Sequence, residues 1–283
     1  MKKVTLKDGA ILPQLGMGSW FLGDNYNTRQ DEIDALRYGI EHGLTLIDTA
    51  EMYGGGRSES LIGKAIEPYD RGMLYLISKV LPNNASRRDI FTSCDRSLAR
   101  LKTDYLDCYL LHWMGAVPLE ETIECMMELK DRGKIKSFGV SNFDVDDMKE
   151  LFFEKDGSNC VMNQVLYHLG SRGVEYDLLP WLKQNNTTMM AYSPLAQGGS
   201  LRARLLTSEA VRIVAKQKEV DPFQILLAFA IHDSSVIAIP KASTLKHIKS
   251  NIEALEVELT KRDIELLSKD FAPPQTKQPL DMI

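Results

Sequence analysis

Eight short apolar runs recur along this chain, and the segments between them carry the spacing of amphipathic helices. That alternation limits the fold more than any other feature. The runs are residues 15–20, 44–48, 74–79, 105–112, 135–140, 161–164, 188–192 and 236–239. Between them, Ile33, Leu36 and Ile40 fall at helical spacing, as do Ile123, Met126 and Met127. Residues 226–231 predict a helix too apolar to be exposed all round, and a further helix is expected over 261–269, before the tail. Strands that alternate with helices form parallel βαβ units. Parallel strands are covered on both faces, so they read as continuous apolar runs, as these do.

Two architectures satisfy this pattern, an open doubly wound sheet and a closed barrel. The open dinucleotide-binding sheet carries a G-x-G-x-x-G turn between a strand and a helix. Gly16-Met17-Gly18 lacks the third glycine, and Gly54-Gly55-Gly56 lacks the spacing. A chain of 283 residues fits two small domains or one α/β barrel. There is no Gly/Pro/Ser-rich linker and no shift in composition. The expected fold is therefore a (β/α)8 TIM barrel forming a single domain over residues 1–283, with extra C-terminal helices. An N-terminal β-hairpin is expected over residues 4–12, where Asp8-Gly9 signals a tight turn.

Charge and cysteines narrow the function class. A formal net charge of −5 argues against nucleic acid as a partner, since phosphate backbones require a concentrated basic face. The four cysteines, Cys94, Cys108, Cys125 and Cys160, show no metal-ligand or redox spacing, so they are expected to be free, in a reducing compartment, with no metal site. The N-terminus turns polar at once, and no run reaches the ~18 apolar residues of a membrane span. The expectation is a cytoplasmic monomer with no membrane or nucleic-acid partner.

In a barrel the C-terminal ends of the strands share one face, and chemistry collects there. The second run ends at Asp48, with Tyr53 five residues on; the third ends at Lys79 and the fourth at His112-Trp113. The later runs end at Ser141-Asn142, Asn163-Gln164, Tyr192-Ser193 and Pro240-Lys241. Singly, each has a plain explanation. Asp48 could cap a turn, Lys79 could be a solvated charge, His112 a bonded core histidine and Tyr53 loop packing, while Asp107 reads as structural. Jointly, four ionisable groups at adjacent strand ends would be expensive to bury without a purpose.

Here the sequence resembles a known family. The segment Ile47-Asp48-Thr49-Ala50-Glu51-Met52-Tyr53-Gly54 is similar to the aldo-keto reductase segment that carries a catalytic aspartate and tyrosine. Ser78-Lys79-Val80 resembles the family's lysine segment, and Leu110-Leu111-His112-Trp113 its histidine segment. Gly139-Val140-Ser141-Asn142-Phe143, Asn163-Gln164, Ala191-Tyr192-Ser193-Pro194-Leu195 and Ile239-Pro240-Lys241 resemble its cofactor-binding segments. The similarity runs in order through the whole chain, closest to bacterial members that reduce small aldehydes such as methylglyoxal.

The resemblance implies an NADPH-dependent oxidoreductase that reduces small aldehydes and ketones to alcohols by hydride transfer, with a small-molecule carbonyl as its partner. It implies Tyr53 as general acid, Lys79 lowering the phenol's pKa, Asp48 keeping Lys79 charged and in place, and His112 orienting the substrate. It also implies that Ser141, Asn142 and Gln164 hold the carboxamide, that Tyr192 stacks on the nicotinamide, and that Ser193, Pro194, Leu195, Gln197 and Gly199 line the pyrophosphate with backbone amides. Lys241 and Ser243 would meet the adenosine phosphate, with His247 and Asn251 beside them. The sequence departs from the family pattern at Ala242, where serine is usual, at His247, where arginine is usual, and at Ser250, where glutamate is usual. The bidentate guanidinium is lost, which leaves Lys241 to carry NADPH selectivity. Trp20, Trp113 and Met114 are expected at the substrate rim. A tail of only residues 271–283 implies an open site with broad preference for small aldehydes. The alternative is a nucleotide-binding regulatory subunit with the same fold and little turnover.

Overall fold

The computed structural model describes residues 2–283. Each apolar run becomes a strand. The chain passes through β1 (Lys3–Thr5), β2 (Ile11–Pro13), β3 (Met17–Gly18), α1 (Arg29–Glu41), β4 (Leu46–Asp48), α2 (Arg57–Ile66), β5 (Tyr75–Val80) and α3 (Ile90–Leu101). It continues with β6 (Leu106–Leu111), α4 (Leu119–Asp131), β7 (Ile135–Ser141), α5 (Val145–Phe153), β8 (Met162–Leu166), α6 (Leu178–Gln184) and β9 (Thr188–Tyr192). Then come α7 (Gly199–Thr207), α8 (Glu209–Lys218), α9 (Pro222–Ala230), β10 (Val236–Ala238), α10 (Leu245–Glu253) and α11 (Lys261–Asp270).

Strands β3 to β10 pair in sequence order, all parallel, in one curled sheet. Its two edges meet. The Gly16 N–H donates to the Ala238 carbonyl at 2.8 Å and the Gly18 N–H to the Pro240 carbonyl at 3.1 Å. A Cβ on Gly18 would lie 2.5 Å from the Ile239 carbonyl oxygen, so only glycine lets the seam close this tightly. The result is the (β/α)8 barrel, with the connection from β9 to β10 enlarged by α7 and α8.

The buried apolar residues form two clusters, and strand parity assigns them. Leu46, Ile77, Cys108, Leu110, Met162, Met190 and Ile237 fill the barrel interior. Their neighbours Ile47, Leu76, Tyr109, Leu111, Met189 and Ala238 pack outward beneath the helices. The interior cluster includes Val4, Leu6 and Leu12 of the β1–β2 hairpin, which closes the N-terminal mouth. The hairpin turn is looser than the sequence suggested. Leu6 pairs with Ala10 through its N–H at 2.8 Å, leaving a three-residue loop in which Gly9 takes φ +89°. All of α9 from Gln224 to Ala230 is buried, as its apolar sequence requires. Asp107 accepts from Arg71 (2.7 Å), Lys136 (2.8 Å) and the Leu76 N–H (2.9 Å), in line with a structural role.

The four cysteines are free and buried. Among the described residues no group of His, Cys, Asp and Glu could hold a metal ion, and no helix is long and apolar enough to cross a membrane.

Candidate active site

The inward rows of several strands turn polar at their C-terminal ends, and parity places those polar groups on the barrel axis. Two residues beyond Leu46 comes Asp48; two beyond Ile77 comes Lys79; two beyond Leu110 comes His112. By the same step Met162 leads to Gln164 and Met190 to Tyr192. Tyr53 arrives by another route. Its loop returns over the barrel mouth, and the next three residues, Gly54, Gly55 and Gly56, all take positive φ, at 58°, 61° and 90°. Side chains there would resist the turn that brings the phenol inward.

Lys79 is the hub. It is fully buried, and its Nζ donates to Asp48 Oδ2 at 2.7 Å, to the Thr49 carbonyl at 2.9 Å and to Tyr53 Oη at 3.1 Å. Gln164 Nε2 donates to the second Asp48 oxygen at 2.7 Å. The ammonium thus has three acceptors, and the carboxylate has a donor on each oxygen. Burial alone would lower the Lys79 pKa, but Asp48 and Tyr53 outweigh it and the net shift is upward. Lys79 therefore stays charged.

Lys79 pulls the Tyr53 pKa down, as expected, yet the net shift is upward. Burial pushes its pKa above the usual value, and the opposing pull of Lys79 does not overcome it. Burial is the largest cause, and the nearby Asp48 charge adds to it by repelling a phenolate. The phenol is thus held protonated, as a proton donor must be. His112 is pushed down to about 3, first by burial and then by the Lys79 charge, so the ring is neutral. Its Nδ1 is buried without a hydrogen-bond partner, and the residue borders the cavity.

These groups line a cavity of about 560 Å³ that extends from Trp20 and Tyr53 to the first turns of α10. Asp48, Tyr53, His112, Trp20 and Trp113 border one part of it. Ser141, Asn142, Gln164 and Tyr192 border the middle. There the Tyr192 hydroxyl donates to Asn142 Oδ1 at 2.9 Å, Asn142 Nδ2 donates to the His112 carbonyl at 3.1 Å, and Ser141 Oγ donates to the Gln164 carbonyl at 2.8 Å. Ser193, Pro194, Leu195 and Gln197 lie further along, and Lys241, Ser243, His247 and Asn251 at the α10 end. Asn251 is 7 % exposed, and its Nδ2 has no hydrogen-bond partner, so a buried donor stands ready for an acceptor.

Lys79 lies behind Asp48 and Tyr53, bonded to both as expected, and both of them line the cavity. Two expected placements differ. Gly199 does not line the cavity. The chain turns away at Gly198, φ +142°, and Gly199 starts α7, whose Arg202 folds back onto the Leu195 and Ala196 carbonyls. Met114 packs against the outer core rather than on the rim. One backbone amide of the 193–199 segment is already used, since the Ala196 N–H donates to the Ser193 carbonyl at 2.9 Å.

Other lining residues carried no signal in the sequence. Phe21 and Met52 sit in loops, Arg202 lies on a helix with little apolar pattern, and Lys246 resembles any surface lysine. Met282 and Ile283, from the tail, also border the cavity, so the site is more covered than a short tail implied.

Known proteins resemble this chain along its whole length. The model of the aldo/keto reductase family matches residues 14–269. Methylglyoxal reductase YeaE of Escherichia coli is 47 % identical over 282 residues, covering 100 % of this chain and 99 % of that one. Methylglyoxal reductase DkgA of the same species is 31 % identical, over 94 % of this chain and 92 % of that one. An aldo/keto reductase from Klebsiella pneumoniae, solved in complex with NADP and acetate, superposes with a TM-score of 0.97 at 46 % identity, over 100 % of this chain and 99 % of that one.

Proposed function

The chain belongs to the aldo/keto reductase family, and from that premise we propose that it is a single-domain NADPH-dependent reductase of small aldehydes and ketoaldehydes, methylglyoxal among them. Tyr53 is its general acid. The observation that carries this reading is the Lys79 Nζ–Tyr53 Oη contact of 3.1 Å, held by a buried Asp48 and set at the wall of the cavity.

The cavity suits a nicotinamide dinucleotide. Ser141, Asn142 and Gln164 offer amide and hydroxyl groups for its carboxamide, and Tyr192 offers a ring face. Lys241 and the first turn of α10 provide positive charge for the 2′-phosphate, and the unpartnered Asn251 Nδ2 suits an acceptor on the base. When bound, the cofactor supplies the hydride to the carbonyl carbon. As charge develops on the carbonyl oxygen, Tyr53 Oη–H gives it a proton and His112 donates a hydrogen bond to it. Lys79 stabilises the phenolate left behind, and Asp48 keeps Lys79 charged and oriented. A nucleotide-binding subunit with little turnover would have no use for a buried lysine–aspartate pair aimed at one phenol.

The names of the relatives support methylglyoxal as a substrate, and the Klebsiella complex supports NADP(H) as the cofactor. A screen of NADPH and NADH oxidation across small aldehydes, ketoaldehydes and sugars tests both. NADPH is expected to give a kcat/KM roughly tenfold or more above that for NADH, the worth of one charge-assisted phosphate contact. Equal values would remove Lys241 from its role. No turnover of any carbonyl would favour the regulatory subunit.

A further inference from the structure

The loop between β3 and α1 holds Phe21 at φ +68°, left-handed backbone that a bulky side chain rarely adopts. The Leu22 N–H donates to the Ser19 carbonyl at 2.9 Å, so Ser19–Leu22 is a β-turn with Phe21 at its third position. A positive φ there favours glycine or asparagine. Phe21 is also 52 % exposed. Strained backbone and an exposed aromatic are both unfavourable, and the core gains nothing from either.

The ring's contacts point elsewhere. It stacks on Trp20, with centroids 4.6 Å apart and planes at 17°. Trp20 stacks in turn on Tyr53 at 6.3 Å and 29°. Tyr53 meets His112 edge-on at 5.8 Å. All four residues line the same cavity. Phe21 is thus the outer member of a row of rings that begins at the proton donor.

We propose that Phe21 is a specificity-determining residue, whose stack with Trp20 forms the wall that binds the planar apolar substituent of aryl and conjugated aldehydes. The proposal rests on the reading of Tyr53 as the acid at the carbonyl. A carbonyl at Tyr53 places its first substituent atoms beside Trp20. Methylglyoxal ends there, while an aryl ring continues outward to Phe21. Offset or edge contacts between rings then favour the aryl substrate.

The strain gives the test an unusual sign. Phe21→Gly removes the ring and also relieves the backbone, so the fold is expected to hold its Tm or gain, while specificity is lost. The experiment measures kcat/KM with NADPH for 4-nitrobenzaldehyde and for methylglyoxal, NADPH affinity by fluorescence titration, and Tm. For Phe21→Gly, 4-nitrobenzaldehyde is expected to lose about tenfold, mainly through KM. Methylglyoxal should lose far less, so that the ratio of the two kcat/KM values shifts against the aryl aldehyde, with NADPH affinity held. Phe21→Tyr keeps a ring and should keep the aryl preference. Equal losses on both aldehydes, weakened NADPH binding, or no loss on either would overturn the proposal. Wild-type protein that turns over neither aldehyde overturns the functional reading itself, and this proposal with it.

Discussion

Tyr53→Phe is expected to lower kcat for aldehyde reduction by about 10²–10⁴-fold, the range that general acid catalysis supplies, with NADPH affinity unchanged. The substitution deletes one oxygen and keeps the ring, so the stack on Trp20 and the edge contact with His112 survive. Lys79 loses one acceptor but keeps Asp48 at 2.7 Å and the Thr49 carbonyl at 2.9 Å. Its charge therefore stays matched, and the fold should be as stable as wild type. Stopped-flow hydride transfer and a fluorescence titration with NADPH separate the two effects. Loss of cofactor binding together with activity would mean that the phenol is a binding group.

Lys79→Met should damage both chemistry and fold. Asp48 is 1 % exposed and would keep only Gln164 as a side-chain donor. Removing one member of a buried pair leaves an uncompensated charge, at a cost of about 3–5 kcal/mol, which for a domain of this size lowers Tm by roughly 5–15 °C. The pH dependence follows from the sign of the Asp48 shift. Burial already raises that carboxyl above its usual value against the pull of Lys79, and without Lys79 it rises further. A carboxyl with a raised pKa in the folded state favours the fold when protonated. The Tm deficit should therefore shrink as pH falls from 8 toward 5. The double variant Asp48→Asn/Lys79→Met should recover much of the Tm and none of the activity. A double variant no more stable than Lys79→Met alone would show that the pair's charge does not set the cost.

Much of this structure is legible in the sequence, for reasons that also explain what is not. Parallel strands are covered on both faces, so they are continuous in apolar character, and the eight runs land on the eight barrel strands. The same continuity hides which side faces inward. Only where Leu46, Ile77 and Leu110 are followed two residues later by Asp48, Lys79 and His112 does the inner row declare itself. Residues 15–20 shorten to Met17–Gly18 because only these two pair with β4, while the bonds across the seam are isolated bridges. Helix α7 left no pattern, since Leu205 is its only buried residue. With it went Arg202 and the turn that carries Gly199 away from the cavity. The sign of the Tyr53 shift depends on burial outweighing Lys79 and on the Asp48 charge nearby. Neither can be read from spacing. Phe21 escaped because a strained turn and a ring stack exist only in three dimensions.

The most direct measurement of the central claim is the pH profile of kcat/KM for reduction, for wild type, Tyr53→Phe and His112→Gln. A general acid must be protonated to act, so the rate falls as pH rises through its pKa. With Tyr53 raised above the usual phenol value and His112 held near 3, wild type is expected to be flat from about pH 6 to 9 and to fall only at higher pH. That alkaline limb should vanish in Tyr53→Phe and persist in His112→Gln. A limb near the ordinary histidine pKa of ~6.5, abolished by His112→Gln and kept by Tyr53→Phe, would make the imidazole the acid and contradict the account.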